Sequence, residues 1–223
     1  YLNLEYYSTS EDERRVLNRQ RYWGSTAGKR YHEAKRKQYQ DEHRFLRFRS
    51  LLVSQISELL LTNDYYHTIC EIGTGNGMFL DYLSRKFPEI NEFSGIDLNK
   101  EQILENQHTF RDTRLRFVYG EITDWINTHS TPGTIFVACG TFEYFTYEEL
   151  QGLLELIRLE VPPAAIAISE PIILDLSSDQ LSRPRWNIGY SHNYPVLFEQ
   201  CEYRVFRQAV DPHITDIPFS SFV

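Results

Sequence analysis

The stretch Thr68-Ile69-Cys70-Glu71-Ile72-Gly73-Thr74-Gly75-Asn76-Gly77 decides the fold. Its first five residues read as a buried strand, and three glycines at alternate positions follow at once. Glycines so placed let the main chain turn sharply and let a ligand come against backbone N–H groups. Phe79, Leu80, Leu83 and Phe87 then recur at helical spacing until Pro88 ends the pattern. Strand, glycine turn and helix make the first part of a βαβ unit, and Phe93–Asp97 supplies its second strand.

The alternation continues outward. Asn99 caps the next helix, Leu115–Tyr119 is a third strand, and Thr134–Cys139 is apolar on both faces, as a buried parallel strand should be. Thr146 and Glu149 have the spacing of a capping box before Leu150, Leu153, Leu154 and Ile157. A fifth strand spans Ala164–Ser169, and a long loop leads to a short helix near Pro195–Cys201. The segments Tyr203–Val210 and Ile217–Val223 are spaced to pair as a hairpin. The pattern predicts an α/β, Rossmann-like, doubly wound fold: a mostly parallel seven-stranded sheet closed by a C-terminal antiparallel hairpin. Ligands of such sheets sit beyond the carboxyl ends of the strands, where strand order reverses.

Upstream, residues 1–62 read as an N-terminal helical arm or lid on a core formed by 63–223. Gly24 and Gly28 break its polar part, about 1–43, into helical pieces with scattered aromatics (Tyr6, Tyr7, Tyr22, Trp23, Tyr31). From Arg44, the positions Phe45, Phe48, Leu52, Ile56, Leu59 and Leu60 predict an amphipathic helix ending near Asn63. That helix could cover its own sheet or a second copy's, so a homodimer is a possible partner. Residues 1–50 carry a net charge of +5 and the remainder −13. The basic arm could bind an anionic substrate, steer a partner or lie on the acidic body.

At 223 residues with a net charge of −8, the chain suits one large domain and does not favour nucleic acid. No apolar run is long enough to span a membrane. Cys70, Cys139 and Cys201 are far apart and read as buried thiols of a cytoplasmic protein, with neither a disulfide framework nor a metal site.

The glycine turn favours one nucleoside cofactor over another. A dinucleotide fingerprint from Gly73 would need Gly or Ala at 78, where Met stands. The third glycine is Gly77, Glu71 lies two residues before the turn, and Asp97 ends the second strand. This acidic-x-G-x-G-x-G pattern, with Gly95-Ile96-Asp97-Leu98-Asn99 closing strand two, resembles the class I S-adenosylmethionine-dependent methyltransferases of the small-molecule type. The resemblance implies S-adenosyl-L-methionine as cofactor. Gly73, Gly75 and Gly77 would line its methionine and ribose side, with Glu71 organising that loop. Asp97 would bind the ribose hydroxyls, Leu98 would lie against the adenine, and Glu121 and Ile122 would meet the adenine edge, Glu standing where the family has Asp. Gly140 would close the cofactor site, lidded by Tyr22, Trp23 and Tyr31.

The acceptor is expected over the ends of strands four and five. That region holds Gly140-Thr141-Phe142-Glu143-Tyr144-Phe145, Ser169-Glu170-Pro171 and the loop through Trp186, Tyr190 and His192. It lacks both Asn/Asp-Pro-Pro-Tyr and the paired glutamates of protein arginine methyltransferases, which points to oxygen, or less often carbon or a simple amine, on a small, apolar or aromatic molecule. His192 is the first candidate for a general base, because an imidazole titrates near neutrality, with Glu143 and Glu170 as alternatives. The competing reading makes His192 only a neighbour of a helix cap. Two alternative functions stay open: methyl transfer to a macromolecule held by the basic arm, and a nucleoside-binding protein that transfers nothing.

Overall fold

The structure, a computed structural model, describes residues 10–41, 45–47, 49–172, 180–185, 188–211 and 219–222. Tyr6, Tyr7, Arg44, Phe48 and Trp186 lie outside them. The chain opens with α1 (Glu11–Trp23) and α2 (Thr26–Gln38), followed by α3 (Ser50–Thr62), β1 (Thr68–Ile72), α4 (Met78–Lys86) and β2 (Glu92–Asp97). Then come α5 (Lys100–Thr109), β3 (Leu115–Tyr119), α6 (Ile122–His129), β4 (Thr134–Cys139), α7 (Tyr147–Glu160) and β5 (Ala164–Pro171). A small hairpin, β6 (Ser182–Arg185) and β7 (Gly189–His192), precedes α8 (Tyr194–Gln200) and the strands β8 (Gln208–Asp211) and β9 (Phe219–Phe222).

Seven strands form one sheet in the order β3-β2-β1-β4-β5-β9-β8. β1 to β5 run parallel, and β9 is antiparallel to both β5 and β8. Strand order reverses between β1 and β4, so the crevice for a ligand opens there, above the glycine turn. Successive residues of β4 face opposite layers. Ile135 and Val137 pack with α3, α4 and α5, whereas Phe136 and Ala138 pack with α6, α7 and α8. The two-sided apolar strand is therefore the centre of a three-layer sandwich.

The amphipathic helix covers its own sheet, with Leu52 and Ile56 fully buried. It starts at Ser50, later than expected from Arg44; just before it, Arg49 N donates to Leu46 O (2.9 Å). Of the two glycines, only Gly24 marks a break in the arm's described helices. Gly28 lies inside α2, where a Cβ would fall 2.6 Å from Trp23 O, so glycine is needed there for the close α1–α2 corner. The expected long loop after β5 contains the β6–β7 hairpin. No described helix is long and apolar enough to cross a membrane.

The basic arm lies on the acidic body. Arg19 grips Glu149 through two hydrogen bonds of 2.8 Å and also donates to Tyr144 O. Arg36 pairs with Glu105 (2.8 Å) and donates to Asn76 O, while Lys29 approaches Glu101 (3.6 Å). Asn99 caps α5 through its side-chain oxygen. Its amide donates to Trp23 O (2.7 Å) and Ser25 O (3.1 Å), which fixes the α1–α2 corner over the end of β2.

Candidate functional site

The glycine turn sits at the carboxyl end of β1 with Gly73, Gly75 and Gly77 at φ of +72°, +51° and +73°. Only glycine adopts these values without strain. Gly75 N donates to Asp97 Oδ2 and Asn99 N to Asp97 Oδ1, both at 2.8 Å. Asp97 thus braces the turn against β2, and its carboxylate keeps lone pairs for further donors such as ribose hydroxyls. Glu71 is buried and accepts from the Thr74 hydroxyl (2.6 Å). Burial pushes its carboxyl up to about 8, against the pull of that bond and of Arg49.

A cavity of about 340 Å³ opens above these strand ends, within the range of small-molecule sites. One side holds Glu71, Gly73, Gly75, Asp97, Leu98, Glu121, Ile122 and Gly140, so the structure brings nearly all the expected cofactor residues together. Gly77 stands just outside, backed by Phe110 and Phe117. Burial pushes the Glu121 carboxyl up, as befits an acid facing a part-enclosed space. Several polar atoms of the lining are buried without hydrogen-bond partners: Trp23 Nε1, His32 Nε2, Arg49 Nε and Glu143 Oε2. Orphaned donors and acceptors around one cavity fit a polar ligand carrying both kinds of group, as S-adenosylmethionine does.

The roof comes from the arm. Trp23 lies edge-on to Tyr31 (centroids 5.3 Å apart) and to Tyr144 (5.0 Å), with His32 at 5.5 Å. Tyr22 packs edge-on against Trp23 (4.9 Å) and does not reach the cavity, so of the three expected lid residues Trp23 and Tyr31 line it. The His32 ring rests on Gly75, where a Cβ would fall 2.8 Å from it.

Beyond Gly140 a single 3₁₀ turn, Phe142–Tyr144, carries Glu143. Glu143 Oε1 lies 3.9 Å from where a Gly140 Cβ would be, and Oε2 lies 3.5 Å from Arg185 Nη1 behind. Burial pushes its carboxyl up to about 7, opposed by Arg185. Glu170 and His192 are placed differently. Glu170 is fully buried and accepts from the backbone N–H groups of Thr141 (2.9 Å), Phe142 (3.0 Å) and Glu143 (3.3 Å). His192 is 1% exposed, with Nε2 3.1 Å from Phe145 O, and burial lowers its pKa to about 4. Neither lines the cavity. Both expectations placed the right segments beside the site but mistook depth, since these side chains point behind the turn and hold it.

Sequence reading missed Arg49, His32 and Tyr39, all in the lining. Arg49 had a signal, standing four residues after Phe45 and three before Leu52 on the helix's apolar face. A charge there needs a reason. Among the described residues no cluster of His, Cys, Asp and Glu could hold a metal ion.

The fold is that of S-adenosylmethionine-dependent methyltransferases of solved structure. Residues 69–161 match the family described as "Methyltransferase domain". Solved structures agree in fold. A SAM-dependent methyltransferase of Leishmania major superposes with a TM-score of 0.56 at 14% identity, over 76% of this chain and 70% of that one. The plantazolicin methyltransferase BpumL, solved with a desmethyl-plantazolicin analogue and SAH, gives 0.55 at 24% identity, over 73% and 60%. A chain of the complex between the Haloferax volcanii Trm112 methyltransferase activator and its methyltransferase gives 0.61 at 15% identity, over 87% and 96%. The chain thus spans only 60% of the plantazolicin enzyme. No curated protein matches it significantly.

Proposed function

We propose that this protein transfers a methyl group from S-adenosylmethionine to oxygen on a small, aromatic or apolar molecule. The observation that carries this reading is the continuity of one roofed cavity from the cofactor residues to Glu143, Tyr144 and Phe145. When bound, the cofactor supplies an electrophilic methyl group on a sulfonium. The chain supplies the rest. Trp23, Tyr31 and Tyr144 exclude water and offer ring faces to positive charge, and holding the acceptor in line is worth roughly 7–11 kcal/mol. Glu143, at the end of β4 and titrating near neutrality, is suited to take the acceptor's hydroxyl proton. Glu170 and His192 act as positioning residues for the turn that carries Glu143.

The macromolecular alternative is weakened by the arm's own contacts. Arg19, Lys29 and Arg36, three of the arm's cations, face carboxylates of the body. The test combines two measurements on the purified protein. Calorimetry should detect S-adenosylmethionine and S-adenosylhomocysteine but not NAD, and incubation with labelled cofactor and metabolite extract should yield a small methylated product. Label found only in protein or nucleic acid would reject the reading.

A further inference from the structure

Glu143 is held from behind by Arg185. Its two carboxylate oxygens have different surroundings: Oε1 lies 3.9 Å from where a Gly140 Cβ would stand, at the cavity wall, and Oε2 lies 3.5 Å from Arg185 Nη1. Oε2 accepts no hydrogen bond, so the contact is one of charge. The pair is buried, with the Arg185 and Glu143 side chains 7% and 9% exposed. A buried ion pair stabilises a fold poorly compared with apolar residues of the same volume. One kept at the edge of a binding cavity therefore calls for a use beyond stability.

Arg185 is carried on a ribbon gripped from two sides. It ends β6, opposite Gly189 of β7. On one side the hairpin meets the 3₁₀ turn, where His192 Nε2 faces Phe145 O (3.1 Å) and a Cβ on Gly189 would fall 3.5 Å from Glu143 O. On the other side it meets α1. The Tyr190 hydroxyl donates to Asp12 Oδ1 (2.5 Å), and the Arg15 guanidinium lies over the Tyr190 ring (5.3 Å). A guanidinium on so pinned a ribbon loses little further freedom in holding one geometry.

The other groups that face Glu143 cannot replace it. Glu170 of β5 repels the carboxylate. Tyr144, next in the chain, hydrogen-bonds it but carries no charge. Tyr31 of α2, Tyr194 of α8 and the Cys139 thiol of β4 stay neutral, because burial raises each of them. Among the groups acting on Glu143, Arg185 supplies the positive charge.

We infer that Arg185 is a positioning residue of the transfer reaction: from the β6–β7 hairpin it keeps Glu143 a carboxylate with one oxygen turned toward the acceptor. The inference rests on the reading of Glu143 as the base and deepens it, naming what holds a buried acid ionised at neutral pH.

The experiment follows labelled methyl from S-adenosylmethionine into the metabolite extract between pH 6 and 9, with wild type, Arg185→Met, Arg185→Lys and Glu143→Gln. Wild-type transfer should rise through about 7. In Arg185→Met, similar in length but neutral, that rise should move up by about one pH unit or more, the usual effect of losing an opposite charge at this range. Transfer at pH 7 should then fall about fivefold or more, and the deficit should close as the pH is raised. Arg185→Lys should keep the wild-type midpoint, and adding Arg185→Met to Glu143→Gln should slow it no further. Calorimetry with S-adenosylhomocysteine, expected to stay near wild type, reports that each variant is folded. Should Arg185→Met fail to fold, Arg185→Gln, which keeps a donor without the charge, should show the same displaced midpoint. A loss equal at every pH, or an unmoved midpoint, would overturn the inference, while slow transfer by Glu143→Gln would leave the base reading standing. Full transfer by Glu143→Gln would overturn that reading and the inference with it. No label transferred by wild type would overturn the methyltransferase reading itself.

Discussion

Glu143 and His192 have opposite fates although both lie near the end of the sheet. Glu143 faces the cavity with its carboxyl raised to about 7 by burial. If it takes the acceptor's proton it must be ionised, so turnover should rise with pH through about 7 and then level. Glu143→Gln should lower kcat by about 10²-fold or more and flatten that rise, leaving S-adenosylhomocysteine binding near wild type. His192 is a neutral imidazole whose Nε2–H is assigned from the Phe145 carbonyl it faces. Its folded pKa of about 4 lies below the unfolded 6.5, so the unfolded chain takes the proton first and stability falls as pH drops from 6.5 toward 4. In His192→Gln the difference in unfolding free energy between pH 7 and pH 4.5 should shrink by about 2 kcal/mol, measured by denaturant titration. Its kcat should stay within about threefold of wild type, and a collapse would restore it as a base. Residues whose work lies in the local chain, the glycines and Asp97, were legible from sequence. Those reaching the cavity from the arm, Arg49 and His32, were not, because spacing along the chain says nothing of which distant helix lies above a turn.

At the scale of elements, β1 and β4 begin and end where the apolar runs do, because a parallel strand buried on both faces admits little else. The β6–β7 hairpin was invisible for the opposite reason. Ser182-Arg183-Pro184-Arg185 has no apolar alternation and holds a proline, tolerable only on an isolated two-stranded ribbon. The most economical link between elements is Asn99, whose oxygen caps α5 while its amide holds the carbonyls of Trp23 and Ser25. Asn99→Ala should cost about 1–2 kcal/mol through the lost cap. It should also release the α1–α2 corner, seen as faster proteolysis around Gly24. Asn99→Asp, which keeps the cap but has no amide donor, should restore the melting temperature without restoring protease resistance. Resistance retained in both would show that the ion pairs alone hold the arm.

For the whole molecule, the charge split between arm and body was plain in the sequence, and one of the three readings it left, an arm lying on the body, is what the ion pairs display. Height above the sheet was not legible. In depth order, the strand ends and glycine turn lie lowest, the 3₁₀ turn beside them and the arm on top, with His32 resting on Gly75. This stacking has a kinetic consequence. Two ligands sharing one chamber under one cover must queue. The one on the floor enters before the one that seals it in, and leaves after it. Steady-state kinetics should therefore follow a compulsory order, cofactor first and demethylated cofactor last. Inhibition by S-adenosylhomocysteine should be competitive against S-adenosylmethionine and noncompetitive against the acceptor. Competition against both substrates would mean that entry is random. Under the ordered scheme, the dwell time of the spent nucleoside, rather than the making of the new bond, sets the ceiling on throughput, and loosening the cover should raise that ceiling before it harms the chemistry beneath.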